Sequence, residues 1–239
     1  NDGKIINDAV CCNLQRIKIQ QKVEAIMHQF NFIEDRPNLN EKDENLNKTP
    51  LKYFTEYIKD EIFPAISTAH EDILGFFYGE FIKYSGGDGH SLGIVLTPNH
   101  ITELICDLLE ITPKDKVFDP CAGTGSFLIS AMNRMLSSVK TKEEKNYIKQ
   151  NNLHGIELKE NMFSIATTNM VLRGDGKTNL ICTDFLKQDP QELKKNKYSI
   201  GMMNPPYSLR NDKDTANLSE IHFVKHLLDS LDDNARCAV

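Results

Sequence analysis

The tetrapeptide Asn204-Pro205-Pro206-Tyr207 places an amide, two carbonyls and an aromatic face on a stiff turn. Tandem prolines fix φ at two successive positions and remove two N–H donors. Such a turn suits a planar ring bearing an exocyclic amino group. Asp119-Pro120-Cys121-Ala122-Gly123-Thr124-Gly125-Ser126-Phe127 begins 85 residues earlier and reads as a strand that ends in a glycine loop and opens a helix. Close backbone approach and free N–H groups at a helix start suit a nucleotide-like cofactor. Neither segment alone settles the chemistry. In this order they point to methyl transfer from S-adenosylmethionine to a base nitrogen.

The amino nitrogen of adenine is a poor nucleophile because its lone pair is delocalised into the ring. Two acceptors on its hydrogens, the Asn204 side-chain oxygen and the Pro205 carbonyl, would favour a pyramidal nitrogen and free that pair. A site fixed before the reaction is what such stabilisation needs. Tyr207 would stack on a base rotated out of its duplex, an unstacking that costs on the order of a few kcal/mol. The plainer alternative is a Pro-Pro turn leaving a strand, with Tyr207 packed on the core.

On the cofactor side, a dinucleotide fingerprint would need a third glycine at position 128, which is Leu128. A phosphate loop around Gly176-Lys177-Thr178 would need a glycine where Val171 stands, so that tripeptide reads as a plain turn. Glu157 closes a strand in Gly155-Ile156-Glu157, and a carboxylate there can accept both hydroxyls of a ribose. Asp184 closes the next strand and is followed by Phe185, a pairing suited to an adenine amino group and ring. Either acid alone is more often a helix cap at such a strand-to-helix transition. Together with Asp119 they end consecutive strands, where ligands of open α/β sheets bind.

The elements that must hold these residues alternate from about residue 91 onward. Helix is expected over Asn99–Leu109, with Thr97-Pro98 as its opening, and over Ser126–Ser137, Asn161–Leu172 and Ser219–Leu231. Strand is expected over Lys116–Asp119, Leu153–Glu157, Leu180–Thr183 and Tyr198–Met203, with a fifth starting at Ala235. This order implies an α/β fold with a parallel sheet covered on both faces. Before it, residues 1–34 read as a helical segment, with apolar residues at helical spacing from Ile5 to Phe32. Residues 35–50 read as a charged, Asn-rich loop or linker, and 51–90 as a helical region with stretches near Leu51–Ile62 and Ala69–Tyr84, broken at Gly86–Gly89. Residues 91–239 would be the catalytic domain.

The 239 residues carry 28 basic and 34 acidic side chains, a net charge of −6, so attraction to nucleic acid would have to come from a local patch or a partner. Six cysteines without C-x-x-C or metal-ligand spacing suggest reduced, mostly buried thiols in a cytoplasmic protein and no metal site. No run approaches the length of a membrane span. A start at Asn1 and an end on a nascent strand, Arg236–Val239, suggest a fragment cut at both ends.

These residues in this order resemble the amino-group DNA methyltransferases of the N6-adenine class, above all the modification subunits of type I restriction–modification systems and their fused relatives. The likeness covers about residues 70–239 and includes Gly93-Ile94-Val95-Leu96-Thr97-Pro98, Asp119–Phe127, Gly155–Glu157, Asp184 and Asn204–Tyr207. It implies a Rossmann-like S-adenosylmethionine-dependent methyltransferase sheet, here stopping at the fifth strand. It also implies that Leu96, Thr97 and Pro98 border the methionine end of the cofactor. Asp119 with Cys121, Ala122, Gly123, Thr124 and Gly125 would hold its amino-acid and sulfonium region. Glu157 would take the ribose, and Asp184 with Phe185 the adenine. Asn204, Pro205, Pro206 and Tyr207 would orient the target for direct transfer without a covalent enzyme intermediate. The implied partners are DNA, a specificity subunit and a restriction subunit. Lys187, Lys194, Lys195 and Lys197 read as a solvated surface, and Arg210 with Lys213 as the better candidates for phosphate contact. Rival readings are a glutamine-N5 or guanine-N2 methyltransferase, a cytosine-N4 target, or a scaffold that only binds cofactor.

Overall fold

The computed structural model describes residues 1–16, 23, 27, 31–64, 96–175, 179–206 and 220–239. It divides into two compact units, Asn1–Ala69 and His70–Val239. The expected helix Ala69–Tyr84, the Gly86–Gly89 break, Gly93–Val95, Gly176–Thr178 and Tyr207–Lys213 lie outside the described residues.

In the first unit, α1 (Asp2–Arg16) packs with α2 (Phe32–Asp35), α3 (Pro37–Asn40) and α4 (Pro50–Tyr57). The segment expected as a loop or linker is tied down. Asn40 Nδ2 donates to the carbonyls of Ile33 (2.7 Å) and Arg36 (3.0 Å), and Asn40 Oδ1 accepts from the Gly3 N–H at 2.8 Å. An antiparallel bridge joins Asp43 to Lys48. A polar residue that satisfies three backbone groups holds a loop in place without an apolar stripe, and residues 41–49 are turns and bends around that bridge. Thr49 caps α4 by accepting from Lys52 N, with Pro50 at the first helical position. The helix then widens into a π-helical turn, Ile58–Ile62.

The second unit opens with α5 (Asn99–Leu108) and continues β1 (Val117–Asp119), α6 (Ser126–Ser137), α7 (Lys142–Asn151), β2 (Leu153–Glu157), α8 (Glu160–Leu172), β3 (Asn179–Cys182), α9 (Pro190–Lys194), β4 (Ile200–Met202), α10 (Glu220–Ser230) and β5 (Arg236–Ala238). The five strands are all parallel, in the order β3-β2-β1-β4-β5. This is the α/β sheet expected from the alternation of elements. Every residue of β1 and β4 is buried, as strands covered on both faces must be. Phe118 and Ile156 face a cluster with Phe185, Tyr198, Met203, Phe223, Leu227 and Leu231, which sets α10 on that side. Gly155 faces the other side, against Leu128 of α6. No helix among the described residues is long and apolar enough to cross a membrane. None of the six cysteines, all described, forms a disulfide.

Helix α7 is absent from the sequence reading because it buries only Ile148 and so carries no apolar periodicity. Its signal is a capping box. Thr141 Oγ1 accepts from Glu144 N at 3.2 Å, and Glu144 Oε2 accepts from Thr141 N at 3.1 Å. The short α9 and a 3₁₀ turn over Phe185–Lys187 were likewise unanticipated, each too brief to show a period.

Gly155 leaves no room for a side chain between the sheet and α6. A Cβ there would come 2.7 Å from Leu180 Cδ2 and 3.1 Å from both the Asp119 carbonyl and Leu128 Cδ1. Gly155→Ala is therefore expected to cost about 1–3 kcal/mol through overpacking, read as a lowered midpoint in urea denaturation with an unchanged slope.

Candidate active site

The strand order reverses between β1 and β4, and a crevice at the carboxyl ends of the strands is the place for a ligand in such sheets. The acids and Asn204 reach this edge by their positions at strand ends, and Leu96 by the segment that leads into α5. Asp119 is the last residue of β1 and Glu157 the last of β2. Asp184 follows β3, and Asn204 follows β4. The register Val117↔Ile200 and Phe118↔Gly201 makes the glycine loop and the Asn-Pro-Pro turn neighbours. A cavity at this edge is bordered by Leu96, Cys121, Gly123, Glu157, Asp184 and Phe185, and by Asn204, Pro205 and Pro206. Tyr207 lies outside the described residues.

The glycine loop owes its shape to two left-handed residues. Gly123 has φ +55° and Gly125 φ +85°, a region that costs other residues about 1–2 kcal/mol. Gly125 N donates to the Ala122 carbonyl at 2.7 Å and closes the turn, and Gly125 then caps α6. Ala122 N donates to the Ile156 carbonyl at 2.9 Å, so the loop leans on β2. Glu157 completes this join, accepting from Gly123 N and from Lys159 N, each at 2.8 Å. Glu157 thus does not cap α8, whose start at Lys159 has no side-chain cap, but holds two loop N–H groups while it lines the cavity. Asp184 behaves alike: Oδ1 accepts from Leu186 N at 3.0 Å while the residue borders the cavity.

Asp119 lies beneath the loop rather than in the cavity wall. Its Oδ1 accepts from Cys121 N at 3.0 Å, a local turn. Its Oδ2 is buried without a hydrogen-bond partner, a condition that ordinarily costs free energy. Burial pushes the Asp119 carboxyl up to about 8, against the Cys121 N–H and with the charge of Glu157 adding to the rise. Burial also raises the Glu157 carboxyl, opposed by the N–H groups of Lys159 and Gly123. The Cys121 thiol is pushed up by burial and then by the charges of Asp119 and Glu157, so it is not a ready nucleophile.

On the opposite wall, Asn204 Nδ2 donates to Thr97 Oγ1 at 3.0 Å. Pro98 caps α5 in an extended conformation. Phe185 is buried, with its ring edge-on to Phe118 (5.9 Å between centroids) and to His226 (4.6 Å). Thr97, Pro98, Asp119, Ala122, Thr124 and Gly125 do not border the cavity. Thr124 and Ala122 are buried in the loop, where they shape the backbone.

Leu158, Lys159 and Met162 after β2, Thr183 after β3 and Phe223 of α10 complete the walls and were missed from sequence. Leu158, Lys159 and Thr183 stand just past strand ends, a position that itself signals a role in the crevice, whereas Met162 comes from the first turn of α8. Lys194 pairs with Asp233 and Lys195 with Glu192, both at 2.6 Å, and Lys187 lies 3.6 Å from Asp184. These lysines are engaged within the chain's own surface. Carboxylates at the ends of β2 and β3, a glycine loop opening a helix and an unpaired carboxylate oxygen under that loop fit a ligand with ribose hydroxyls, an amino-bearing ring and a cationic end.

Comparison with known proteins agrees with this geometry. The family description N-6 DNA Methylase matches residues 69–239. The type II restriction enzyme and methyltransferase RM.BcgI of Heyndrickxia coagulans is 49% identical over 235 residues, which cover 96% of this chain and 37% of that protein. The type I restriction enzyme EcoEI methylase subunit of Escherichia coli is 24% identical over 207 residues, 81% of this chain and 41% of that subunit. The chain thus spans about two fifths of the length of these relatives. Among solved structures, a modification subunit assigned to a type I restriction enzyme of Vibrio vulnificus YJ016 shares the fold with a TM-score of 0.56 at 20% identity, over 68% of this chain and 37% of its own. With its parallel sheet, its glycine loop and its Asn-Pro-Pro turn, the chain belongs to the N-6 DNA methylase family.

Proposed function

We propose that the protein carrying this chain transfers a methyl group from S-adenosylmethionine to the N6 amino group of adenine in DNA, within a restriction–modification system. The observation that carries this reading is the pairing of β1 with β4, which sets Asn204 and Pro205 beside the glycine loop. The names of the relatives, which pair methylation with restriction, point the same way.

When bound, S-adenosylmethionine would supply an electrophilic methyl group, transferred to the amino nitrogen in exchange for one of its protons. The chain's own residues bind and orient. Glu157 takes the ribose hydroxyls on acceptor capacity beyond its two N–H donors. Asp184 and Phe185 take the adenine ring of the cofactor, and Asp119 with the loop Cys121–Gly125 its cationic end. Leu96 borders the methionine portion, and Pro98 behind it starts α5. Asn204 Oδ1 and the Pro205 carbonyl accept from the target amino group, and Pro206 keeps the turn stiff. Tyr207 stacks on the flipped base. DNA, a specificity subunit and a restriction subunit are the partners of this activity, with Arg210 and Lys213 on the DNA side.

In the full-length protein, Asn204→Ala is expected to lower methyl transfer by about 100-fold or more, with the dissociation constant for S-adenosylmethionine by calorimetry changed only a few-fold. Mass spectrometry of nucleosides from cells with and without the gene tests the target. Loss of N6-methyladenine supports the reading, whereas altered glutamine methylation of a protein would reverse it.

The buried Asp119 makes the site sensitive to pH. The unfolded chain ionises this group near its ordinary 3.8, while the folded chain holds the proton up to about 8. The folded state binds the extra proton across that window, so this group's contribution to stability falls as pH rises through it. Asp119→Asn in the unliganded protein should therefore raise the melting temperature over wild type by a margin that grows from about pH 6 to about pH 8. A cationic ligand end favours the ionised form, so cofactor binding should release a proton and tighten over the same range. Calorimetry in two buffers of different ionisation enthalpy reads that release, and a pH-independent affinity would contradict it.

A further inference from the structure

The Asn204 amide is held by more than its own turn. Its Nδ2 donates to Thr97 Oγ1 at 3.0 Å, across 107 residues of chain. Thr97 directly precedes Pro98, the cap of α5, so its backbone is fixed by the start of that helix. Helix α5 is fastened in turn to α6 by the Thr102 Oγ1···Ser130 Oγ contact of 2.6 Å, with Thr102 fully buried. Leu96 borders the cavity and Thr97 does not. The hydroxyl is therefore directed at the amide rather than at the space where a cofactor would lie.

A carboxamide presents a donor at one end and an acceptor at the other, in nearly the same shape. Aimed one way, Asn204 offers an acceptor to an amino group; turned over, it sets donor against donor. We infer that Thr97 is a positioning residue for the transfer, holding the plane of the Asn204 amide with Oδ1 turned away from Oγ1 and toward the target nitrogen. The inference rests on the function proposed above and gives Thr97 a role there other than contact with the cofactor. Rotation of the amide out of this plane must break the bond to Thr97, so the acceptor is in place before the base arrives.

Thr97→Val keeps the size and branching of the side chain and removes the hydroxyl, while Thr97→Ser restores it. The assay is incorporation of tritiated methyl groups by the full-length protein into genomic DNA from cells lacking the gene. Thr97→Val should lower kcat about 10- to 100-fold, with the dissociation constant for S-adenosylmethionine by calorimetry within about threefold of wild type, and Thr97→Ser should recover most of the rate. In an Asn204→Ala background, Thr97→Val should change neither the residual rate nor the melting temperature further, since the shared bond is already gone. A Thr97→Val protein that loses cofactor affinity in step with its rate would make Thr97 a cofactor contact and overturn the inference. So would an unchanged kcat, or a Thr97→Ser protein as impaired as Thr97→Val. Failure of the parent reading looks different: wild type and all variants would then leave DNA unmethylated while still binding the cofactor.

Discussion

The site depends first on the parallel pairing of β1 with β4. Two segments 85 residues apart become neighbours because Val117 pairs with Ile200 and Phe118 with Gly201, at a strand spacing of about 4.8 Å. Both strands are buried throughout, so a slip of one residue would turn Phe118 away from its aromatic partners and Asp119 out from under the loop. Phe118 stacks on Tyr198 at 4.4 Å with rings nearly parallel. Since Tyr198 lies just ahead of β4, this contact anchors the strand in the register that brings Asn204 to the crevice.

Around that pairing the chain accepts local costs on one edge of the sheet. Two carboxylates are buried close enough for the charge of one to raise the other, and one Asp119 oxygen has no partner. Two glycines hold left-handed conformations. At the opposite end of the sheet Asp115 accepts from Thr112, Ser199 and Arg236 and is held below the usual carboxylate range despite its burial, although Glu110 and Lys197 there hold left-handed φ values of 48° and 55° without being glycine. The two ends differ in their carboxylates: Asp115 is fully partnered, whereas one oxygen of Asp119 is buried without a partner, a departure of the kind expected at functional positions.

Much of this edge was legible in sequence because its chemistry is written in short motifs at strand ends. Glu157, Asp184 and the glycine loop could be placed from the alternation of elements alone, and β2 and α6 run over Leu153–Glu157 and Ser126–Ser137 as expected. What stayed hidden depends on partners far away in the chain. Nothing near Glu157 indicates that it accepts from Gly123, and nothing near Thr97 indicates that it meets Asn204. Helix α7 was hidden for another reason: a helix that buries one residue has no apolar stripe to read, and only its cap betrays it. Residues 35–50 are similar: a polar composition suggested a loop or linker, but not that Asn40 binds three backbone groups.

The strand order has an evolutionary consequence. The three strands whose ends carry Asp119, Glu157 and Asp184 lie together as β1, β2 and β3, while Asn204 belongs to the other wing with β4 and β5. In the proposed assignment, donor recognition and acceptor recognition therefore sit on separate wings that share one seam. Phe223 of α10 packs with Phe185, and Tyr198 stacks on Phe118. It is therefore substitutions in the turn after β4, not in the body of that wing, that would alter acceptor recognition while leaving the donor side in place. A lineage built on this sheet can thus keep its currency and change its customers.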